Sequence, residues 1–403
     1  MTNTSTQPAP TTYGQLFSIP EFRVLFANRC LVMISVATSS LALGTIIFET
    51  TGSALLSALS MFGGPLVALV VSQLFLGLSD TLRPRTGLML QMAGPLAANA
   101  LQAVPGIPWQ ARFALLAIPY AVNAMLAGTQ WVVMRDIMSG SSYALGRSTL
   151  NLAVGGMQVV GYGLGGVALL WLSPQTLFVV AAVINLLSLL TMRFGIRDRP
   201  APGRTSEGVV ARTRRVNRLL LGSRVTRPLY LAGWVPNGLI VGCEALFVPY
   251  GHGSLAGYLF AGGAAGMMLG DLSAGRFLTI PQRDRLIGPL RYLLAVPFLV
   301  FWLSPPAPIA VAAVFIASVG YAASLPLQER LIAHTDDDIQ GQTLGLQSQG
   351  MMIGQAVGAG IGGAVATHLS PGHTMGLLAT ASLLVTIALT PGLRRSTPTP
   401  RSR

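Results

Sequence analysis

The chain has 403 residues, of which 52% are hydrophobic and only 10% are charged, whereas soluble globular domains carry about 25% charged residues. Its formal net charge at pH 7 is +13, and all 26 basic residues are arginine. Because lysine is absent, a GxxxxGK[ST] phosphate loop and a Schiff-base lysine are excluded, and with them Walker-type ATP hydrolysis and pyridoxal chemistry. Cys30 and Cys243 give no spacing for a disulfide framework or a metal site. We expect no cofactor and no metal.

The apolar residues lie in long blocks, and a membrane-spanning helix needs about 20 such residues. Short turns rich in proline, such as Pro105–Pro108 and Ser304–Pro308, separate the blocks. We therefore predict an all-α integral membrane protein. Its twelve predicted transmembrane segments are residues 24–48, 54–77, 87–104, 111–133, 149–172, 175–193, 228–250, 254–274, 287–304, 308–327, 343–367 and 374–392.

The predicted segments divide the chain into two bundles of six helices. In chain order, the prediction gives a disordered cytoplasmic tail at 1–22, an N-terminal six-helix bundle at 23–193, a cytoplasmic Arg-rich linker at 194–227, a C-terminal six-helix bundle at 228–392 and a cytoplasmic tail at 393–403. The first 22 residues contain no Arg or Lys, so the basic region of a cleavable signal peptide is missing.

The two halves repeat in sequence. Residues 158–174, shifted by 197 positions, fall on residues 355–371, and 9 of the 17 residues match. The matches include Gln158 with Gln355 and Pro174 with Pro371. This alignment places the fifth segment on the eleventh and indicates a duplication, with six segments in each half.

The positions of the arginines predict the orientation, since cytoplasmic loops of membrane proteins are enriched in Arg and Lys. With the N-terminus inside, 25 of the 26 arginines lie in or beside cytoplasmic segments, and only Arg112 lies near an outer loop. We therefore predict a multi-pass protein of the plasma or inner membrane with both termini cytoplasmic. The linker arginines would face anionic lipid, at about 1 kcal/mol each near the surface. No nucleic-acid partner is expected, because no aromatic residues are interleaved with these arginines.

Three segments carry glycines four residues apart, which share one face of a helix and let another backbone approach closely. They are Gly161 and Gly165 in the fifth segment, Gly262 and Gly266 in the eighth, and Gly354, Gly358 and Gly362 in the eleventh. Two interpretations stay open: static tight packing, or a smooth surface along which one half moves against the other.

A short turn between the second and third segments, GLSDTLRPRTG from Gly77 to Gly87, contains Asp80, Arg83 and Arg85. An Asp followed by arginines can hold helix ends together by ion pairs and by capping a helix N-terminus. This turn, the twelve segments, the basic central loop and the glycine-rich fifth segment together resemble the major facilitator superfamily, over nearly the whole chain. The resemblance implies a twelve-helix fold of two pseudo-symmetric bundles, with a cavity lined mainly by segments 1, 4, 7 and 10.

In that family the segment Gly-x-x-x-Asp-Arg-x-Gly-Arg-Arg acts as a cytoplasmic gate latch. Asp80 matches the Asp of this pattern, and Arg85 matches its last Arg. The chain also departs from the pattern, because Gly77 stands three residues before Asp80, Thr81 replaces the Arg, and Arg83 occupies the second Gly position. A purely structural turn is the alternative interpretation.

The second half contains a weaker counterpart of this turn, GDLSAGRF from Gly270. It keeps Gly270 and Arg276, but a glycine stands where the Asp would map, so the latch would be one-sided. Asp271, close in sequence to Arg276, is assigned to the same gate region. Arg135, just beyond the fourth segment, is also assigned to the gate.

The fifth segment contains GGMQVVGYGLGG, from Gly155, which resembles the glycine-rich signature of drug/proton antiporters in the same superfamily. This resemblance implies export. The proline of that signature is absent here, and the fourth segment lacks the buried Arg followed by Gln-Gly that those antiporters carry. Export is therefore predicted, and proton coupling is left open.

Glu244 is an ionisable residue within a predicted transmembrane segment. Its presence there requires an explanation, because a charge at mid-bilayer costs about 2.5 to 3.5 kcal/mol on insertion scales. It stands 16 residues beyond Pro228, about 24 Å into a hydrocarbon core roughly 30 Å thick. One interpretation is a protonatable carboxylate that lines the cavity. The other is a Glu that is hydrogen-bonded across helices or reaches the outer surface. Pro236, Asn237 and Gly238 can break this helix, which favours the first interpretation.

Uncharged polar residues complete the predicted cavity. An amide in lipid must be partnered, so Gln158, Gln355 and Asn123 are expected to point inward. Tyr120 and Trp234 could add aromatic walls to the same cavity.

Together these patterns predict a secondary active transporter that exports a small organic solute or drug by alternating access, with Glu244 as the candidate for proton coupling. The alternatives are an uncoupled or uptake permease for a sugar or metabolite and, more remotely, a membrane-embedded enzyme or sensor. The acidic string His334–Asp338 is interpreted as a solvated loop that caps the next helix rather than as a metal site. We expect no enzyme activity, a monomer, and as partners the solute, protons and the lipid bilayer.

Overall fold

The structure is a computed structural model that describes residues 13–74, 82–138, 141–201, 208–251, 254–336 and 339–396. Regular structure within these ranges is helical throughout. The α-helices are α1 (Tyr13–Ser18), α2 (Pro20–Thr51), α3 (Ala54–Phe62), α4 (Gly64–Leu74), α5 (Pro84–Gln102), α6 (Trp109–Met125), α7 (Thr129–Ile137), α8 (Ser141–Ala168), α9 (Pro174–Gly195), α10 (Gly208–Gly222), α11 (Thr226–Glu244), α12 (Phe247–Gly251), α13 (Ser254–Phe277), α14 (Ile280–Ala295), α15 (Ala307–Val319), α16 (Ser324–Ala333), α17 (Gln340–Val365) and α18 (Pro371–Arg395).

The described part of each of the twelve predicted segments lies mainly on helical structure. Among the described residues, seven helical stretches are long and apolar enough to cross a membrane, or nine if each of two bent helix pairs counts as one span. The bent pairs are α3 with α4, at 53°, and α6 with α7, at 40°. The other three predicted segments correspond to α5, α8 and α17, whose sequences are rich in glycine and polar residues. The count of twelve spans therefore stays a prediction.

Two of the long helical stretches change helix type along their length. A 3₁₀ stretch, Val296–Leu303, continues α14, and a second one, Gly320–Ala323, joins α15 to α16. Such a stretch within a helix often marks a hinge. The predicted segments 287–304 and 308–327 overlap these two helical stretches, Ile280–Leu303 and Ala307–Ala333. The changes of helix type were not predicted, because apolar composition carries no information about the hydrogen-bond pattern.

The chain forms two compact units, and α2, α4 and α8 each contribute residues to both, as does α9 through its first residue. The first unit comprises Met1–Ser39, Val67–Gly161 and Gln175–Thr205, and the second comprises Ser40–Leu66, Tyr162–Pro174 and Ser206–Arg403. The predicted division at the linker, with six consecutive segments on each side, stays a prediction.

The first unit has an apolar core that includes the start of the described chain. Leu16 and Phe22 are fully buried in it, together with Leu88, Met134 and Met192. Within the predicted disordered tail, Tyr13–Ser18 are therefore helical, and the apolar side chains of Leu16 and Phe22 are packed in the core. Residues 1–12 lie outside the described residues.

The second unit contains two apolar clusters. The larger cluster joins α11, α13, α15 and α18 and includes Phe247, Phe298 and Leu378. The smaller cluster joins α11, α14, α16 and α18 and includes Leu229 and Leu393. Helix α11 also lies along α17, where their glycines face each other's backbone. This packing positions the polar residues of α11.

Candidate functional site

The buried carboxyl group of the second unit lies where α11 breaks. Glu244 is the last residue of α11, and the chain resumes as α12 at Phe247. Tyr321, in the 3₁₀ stretch Gly320–Ala323, donates a hydrogen bond from Oη to Glu244 Oε1 at 2.8 Å. A hydrogen bond to a charged group contributes about 1.5 to 3 kcal/mol. The bond therefore links the end of α11 to the interrupted region between α15 and α16.

A small cavity adjoins this pair within the second unit. About 20 Å³ of it is open to water-sized molecules, which is enough to hold a water molecule. It is lined by Phe62, Tyr162, Glu244, Phe247, Phe260, Gly263 and Met267. The Tyr162 ring stacks on Phe62 and on Phe260, with centroids 6.5 and 6.0 Å apart. Glu244 is the one carboxyl group of this lining, and an ionised carboxylate in such apolar surroundings is costly unless it is partnered.

Three other predicted cavity residues lie at the contact between α11 and α17. Gln355 Nε2 donates a hydrogen bond to Asn237 Oδ1 at 3.1 Å. Trp234 Nε1 donates to the carbonyl oxygen of Gln347 at 3.0 Å. Asn237 follows Pro236, which has no backbone N–H to continue the helix ladder. The structure thus brings Trp234, Asn237 and Gln355 to one interface, as an intramolecular polar contact.

The remaining predicted cavity residues lie in the first unit. Asn123 Nδ2 donates to the carbonyl oxygen of Pro119, within its own helix, at 2.8 Å. Tyr120 lies one turn before Asn123 on the same helix, α6. Gln158 is part of α8, but its side chain lies outside the described part of the structure. The structure therefore does not show these residues meeting a common ligand.

Comparison with solved structures decides the fold class. A POT family transporter in complex with 5-aminolevulinic acid matches with a TM-score of 0.70 at 11% sequence identity, over 94% of this chain and 96% of that one. A D-xylose-proton symporter matches with a TM-score of 0.67 at 10% identity, over 91% and 96% of the two chains. A nucleoside transporter matches with a TM-score of 0.68 at 10% identity, over 92% and 99%. The chain has the major facilitator fold.

The all-α membrane fold predicted from the sequence is thereby confirmed. No protein-family profile matches the sequence, and no curated protein matches it. The similarity to the solved structures thus identifies the major facilitator fold and leaves the substrate open.

The predicted gate of the first half lies partly outside the described residues, which omit Gly77 and Asp80. Arg83, just before α5, pairs with Asp198 at 2.8 Å, and both side chains are largely exposed. Arg85 is the second residue of α5 and is partly buried. Arg135 Nε donates to the carbonyl oxygen of Trp131 in its own helix at 3.3 Å.

The start of the linker forms a second, more buried cluster of charged residues, which the sequence did not predict. Arg199 donates from Nη1 and Nη2 to the two carboxylate oxygens of Glu21, at 2.8 and 2.7 Å, and from Nε to Asp136. The backbone N–H of Arg197 also donates to Glu21 Oε1 at 2.8 Å. The hydrogen bond with Glu21 raises the pKa of Arg199 above its ordinary value, Asp136 acts in the same direction, and burial opposes them.

We call Arg197, Asp198, Arg199 and their partners Glu21, Arg83 and Asp136 the linker clasp. Within the first unit it ties the end of α9 to the starts of α2 and α5 and to the end of α7. Each acidic residue of the clasp lies alone at or near a predicted helix end, and this is the only feature of the sequence that could have indicated ion pairs there. Its pairs are more than 60 residues apart, so spacing alone could not join them.

The gate region of the second half differs from the prediction in its pairing. Asp271 and Arg276 are both exposed on α13, and no ion pair between them occurs in the described residues. Instead, Arg283 pairs with Glu329, and Asp284 pairs with Arg330. Two adjacent residues of α14, a cation followed by an anion, therefore pair with two adjacent residues of α16, an anion followed by a cation.

The glycines predicted to lie at helix interfaces face neighbouring backbones or small side chains. A Cβ on Gly161 would lie 2.7 Å from the Ala37 Cβ, and one on Gly266 would lie 2.9 Å from the Ser318 Cβ. A Cβ on Gly362 would lie 2.7 Å from the carbonyl oxygen of Gly242.

The other glycines predicted to lie at helix interfaces also pack closely against their neighbours. Gly354 faces the carbonyl of Trp234, Gly358 faces the carbonyl of Gly238, and Gly262 faces Val311 at 3.1 Å. Gly165 is buried.

Proposed function

We propose that the protein is a secondary active transporter that moves a small polar organic solute across the membrane and couples this movement to protons at Glu244. The observation that carries the proposal is the Glu244 carboxyl group, bonded to Tyr321 beside a water-sized cavity. A carboxyl group inside a membrane bundle needs a functional or structural reason, and a protonatable site supplies one.

The hydrogen bond is compatible with both protonation states of Glu244. Tyr321 keeps its proton as donor, and Oε1 accepts it whether the carboxyl group is neutral or ionised. The proton that Glu244 binds or releases would pass to water in the adjoining cavity. The cost of the ionised form is then offset in part by the Tyr321 donor.

The position of Tyr321 suggests how the protonation state is passed on. Its 3₁₀ stretch packs against α14, where Gly320 lies against the backbone of Leu290 and Leu294. A change in the Glu244–Tyr321 bond would act directly on this interruption between α15 and α16. We propose that it favours one of two arrangements of this segment, as alternating access requires.

The substrate class rests on two considerations. Three solved structures with the same fold are a POT family transporter in complex with 5-aminolevulinic acid, a D-xylose-proton symporter and a nucleoside transporter, and each of these small molecules is polar. In this chain, Asn237, Gln355 and Trp234 form a polar contact beside Pro236. Helix α11 continues through Pro236, so the helix break expected from the sequence at this point does not occur. We propose that these groups exchange their mutual contacts for contacts with a small polar solute.

Two directions of transport are argued from different features. The resemblance of the fifth segment to drug/proton antiporters favours export of the solute in exchange for protons. The similarity in fold to a D-xylose-proton symporter favours uptake together with protons. We propose export as the first candidate and uptake as the second, in both cases by a monomer of the inner membrane with cytoplasmic termini. Asp80 and Arg85 are proposed to act as the gate latch.

Transport by reconstituted protein tests the proposal. Vesicles with an imposed pH gradient are offered 5-aminolevulinic acid, dipeptides, xylose and nucleosides, and solute accumulation is measured. Glu244→Gln is expected to abolish gradient-driven accumulation while solute exchange without a gradient continues. Glu49→Gln changes an exposed Glu in the same way and serves as the control.

The sign of the response separates the two directions. Accumulation on the side away from the acid compartment indicates symport, and accumulation within the acid compartment indicates antiport. Unchanged gradient-driven transport in Glu244→Gln would remove Glu244 from the mechanism.

A further inference from the structure

Arg291 is a buried cation whose charge is not explained by the contacts above. It lies 11 residues after Ile280 in α14, and only 2% of its surface is exposed. Its Nε, Nη1 and Nη2 atoms are all without a hydrogen-bond partner in the described part of the chain. A guanidinium group has five N–H donors and stays charged in proteins. Leaving a buried charge unpaired is strongly destabilising, so the group needs an anionic partner.

The location of Arg291 is fixed by its neighbours on α14. It shares the buried face of the helix with Ile287 and Leu294. Ile287 belongs to the smaller apolar cluster of the second unit, and Leu294 belongs to the larger one. Arg291 is therefore placed between the two clusters, inside the second unit.

A second polar group without a partner lies at a matching place on α18, which packs against α14. Thr386 is fully buried, and its Oγ1 has no hydrogen-bond partner among the residues described. It stands between Leu378 of the larger cluster and Leu393 of the smaller one. Two unsatisfied polar side chains thus occupy the layer between the same two clusters.

The carboxylates of the second unit that the structure describes are engaged elsewhere or exposed. Asp284 pairs with Arg330, Glu329 pairs with Arg283, and Glu244 binds Tyr321. Glu49, Asp271 and Asp336 are exposed. Arg291 and the two ion pairs at the start of α14 together carry three positive and two negative charges. The described cations of this region therefore exceed the anions by one charge.

We propose that Arg291, together with Thr386, binds a monovalent anion inside the second unit. Guanidinium N–H groups and a hydroxyl proton can all donate to one acceptor, and a single negative charge balances the excess. Both a halide and a small organic carboxylate have this chemistry. The site is formed by α14 and α18, whereas the Glu244–Tyr321 pair is formed by α11 and the stretch Gly320–Ala323. Anion binding at Arg291 is therefore tested separately from proton coupling.

Thermal unfolding of the purified full chain in detergent tests the site. The melting temperature is measured in sodium chloride, bromide and acetate, each against sodium isethionate, a bulky sulfonate, at equal ionic strength. At anion concentrations well above Kd, bound anion is expected to raise Tm by about 2 °C or more. A response to halides alone identifies an inorganic anion, and a response to acetate alone identifies a carboxylate.

Three variants test whether the anion response depends on the proposed site. Arg291→Gln is expected to lose the anion response, and Thr386→Val is expected to weaken it. Arg285→Gln replaces an exposed arginine on the same helix and should keep the response. If Arg291→Gln does not fold, the Thr386→Val and Arg285→Gln pair still carries the test.

Two results would overturn the proposal. One is an anion response in Arg291→Gln or Thr386→Val equal to that of the unchanged protein. The other is no anion response in the unchanged protein combined with a higher Tm for Arg291→Gln in every salt, since removing an unpaired buried charge stabilises a fold.

Discussion

Arg199 donates hydrogen bonds from both Nη1 and Nη2 to the carboxylate of Glu21, at 2.8 and 2.7 Å, across 178 positions of the sequence. Their side chains are only 16% and 12% exposed, whereas those of the neighbouring Arg83–Asp198 pair are 64% and 46% exposed. The linker clasp therefore combines a buried, two-bond ion pair with an exposed one. The contribution of such ion pairs to the free energy of unfolding depends on their geometry and burial more than on their number.

Arg199→Gln should destabilise the first unit by about 2 kcal/mol, between the values for exposed pairs and for fully buried ones. The reason is that Glu21 and Asp136 would both lose their guanidinium donor. The measurement is thermal unfolding of the purified protein in detergent.

Arg83→Gln is the matched control, because it breaks an exposed pair in the same clasp. Its expected cost is below about 1 kcal/mol. Equal effects of the two variants would show that the burial of the Arg199 pair contributes nothing.

The fold class could be predicted from composition, but the clasp could not. Blocks of apolar residues identify helices because each spanning helix must cover itself with apolar side chains, and this requirement is local. The partners of Arg199 depend on how helix ends meet in three dimensions, which no local pattern encodes. Glu244 was found because a charge in an apolar block is itself a local signal.

Tyr321 and Arg291 mark the limit of that approach. Tyr321 is an ordinary amphipathic residue in an apolar segment, and nothing in its neighbourhood indicates that its hydroxyl group binds Glu244. Arg291 lies within the predicted segment 287–304 and belongs to the 25 arginines predicted to lie in or beside cytoplasmic segments. That its guanidinium has no partner in the described residues could only be learned from the structure.

Tyr321→Phe should weaken proton-driven accumulation at least tenfold, if Glu244 is the coupling group. The ionised carboxylate would lose a hydrogen bond that contributes about 1.5 to 3 kcal/mol, while the ring would keep its packing. The accumulation ratio in vesicles and the rate of solute exchange without a gradient are measured together.

The control for this change is Tyr292→Phe, which removes a hydroxyl group from the neighbouring helix α14. It should leave both quantities unchanged. A Tyr321→Phe protein with full accumulation would show that the Glu244–Tyr321 bond has no part in coupling.

Gly358→Ala tests the close contact between α17 and α11. A Cβ at this position would fall on the carbonyl oxygen of Gly238, so one backbone must move. Overpacking of this kind costs about 1 to 3 kcal/mol, and the unfolding temperature should fall accordingly.

Gly345→Ala is made in the same helix, where an added Cβ meets nothing within 4 Å. It should be neutral or stabilise by up to about 1 kcal/mol, because alanine favours the helix. If both variants are equally stable, the α11–α17 contact is looser than the structure shows.

The orientation of the chain is tested by labelling single cysteines with a membrane-impermeant maleimide. Ser173, between the predicted segments 149–172 and 175–193, is exposed, and Arg215 on α10 is also exposed. In a protein whose own cysteines have been replaced by serine, Ser173→Cys should react in intact cells. Arg215→Cys should react only after the membrane is opened, because the positive-inside rule places the linker in the cytoplasm. The predicted order of segments places an odd number of spans between the two positions, so they should lie on opposite sides of the membrane. Labelling of both positions from outside would contradict the predicted topology.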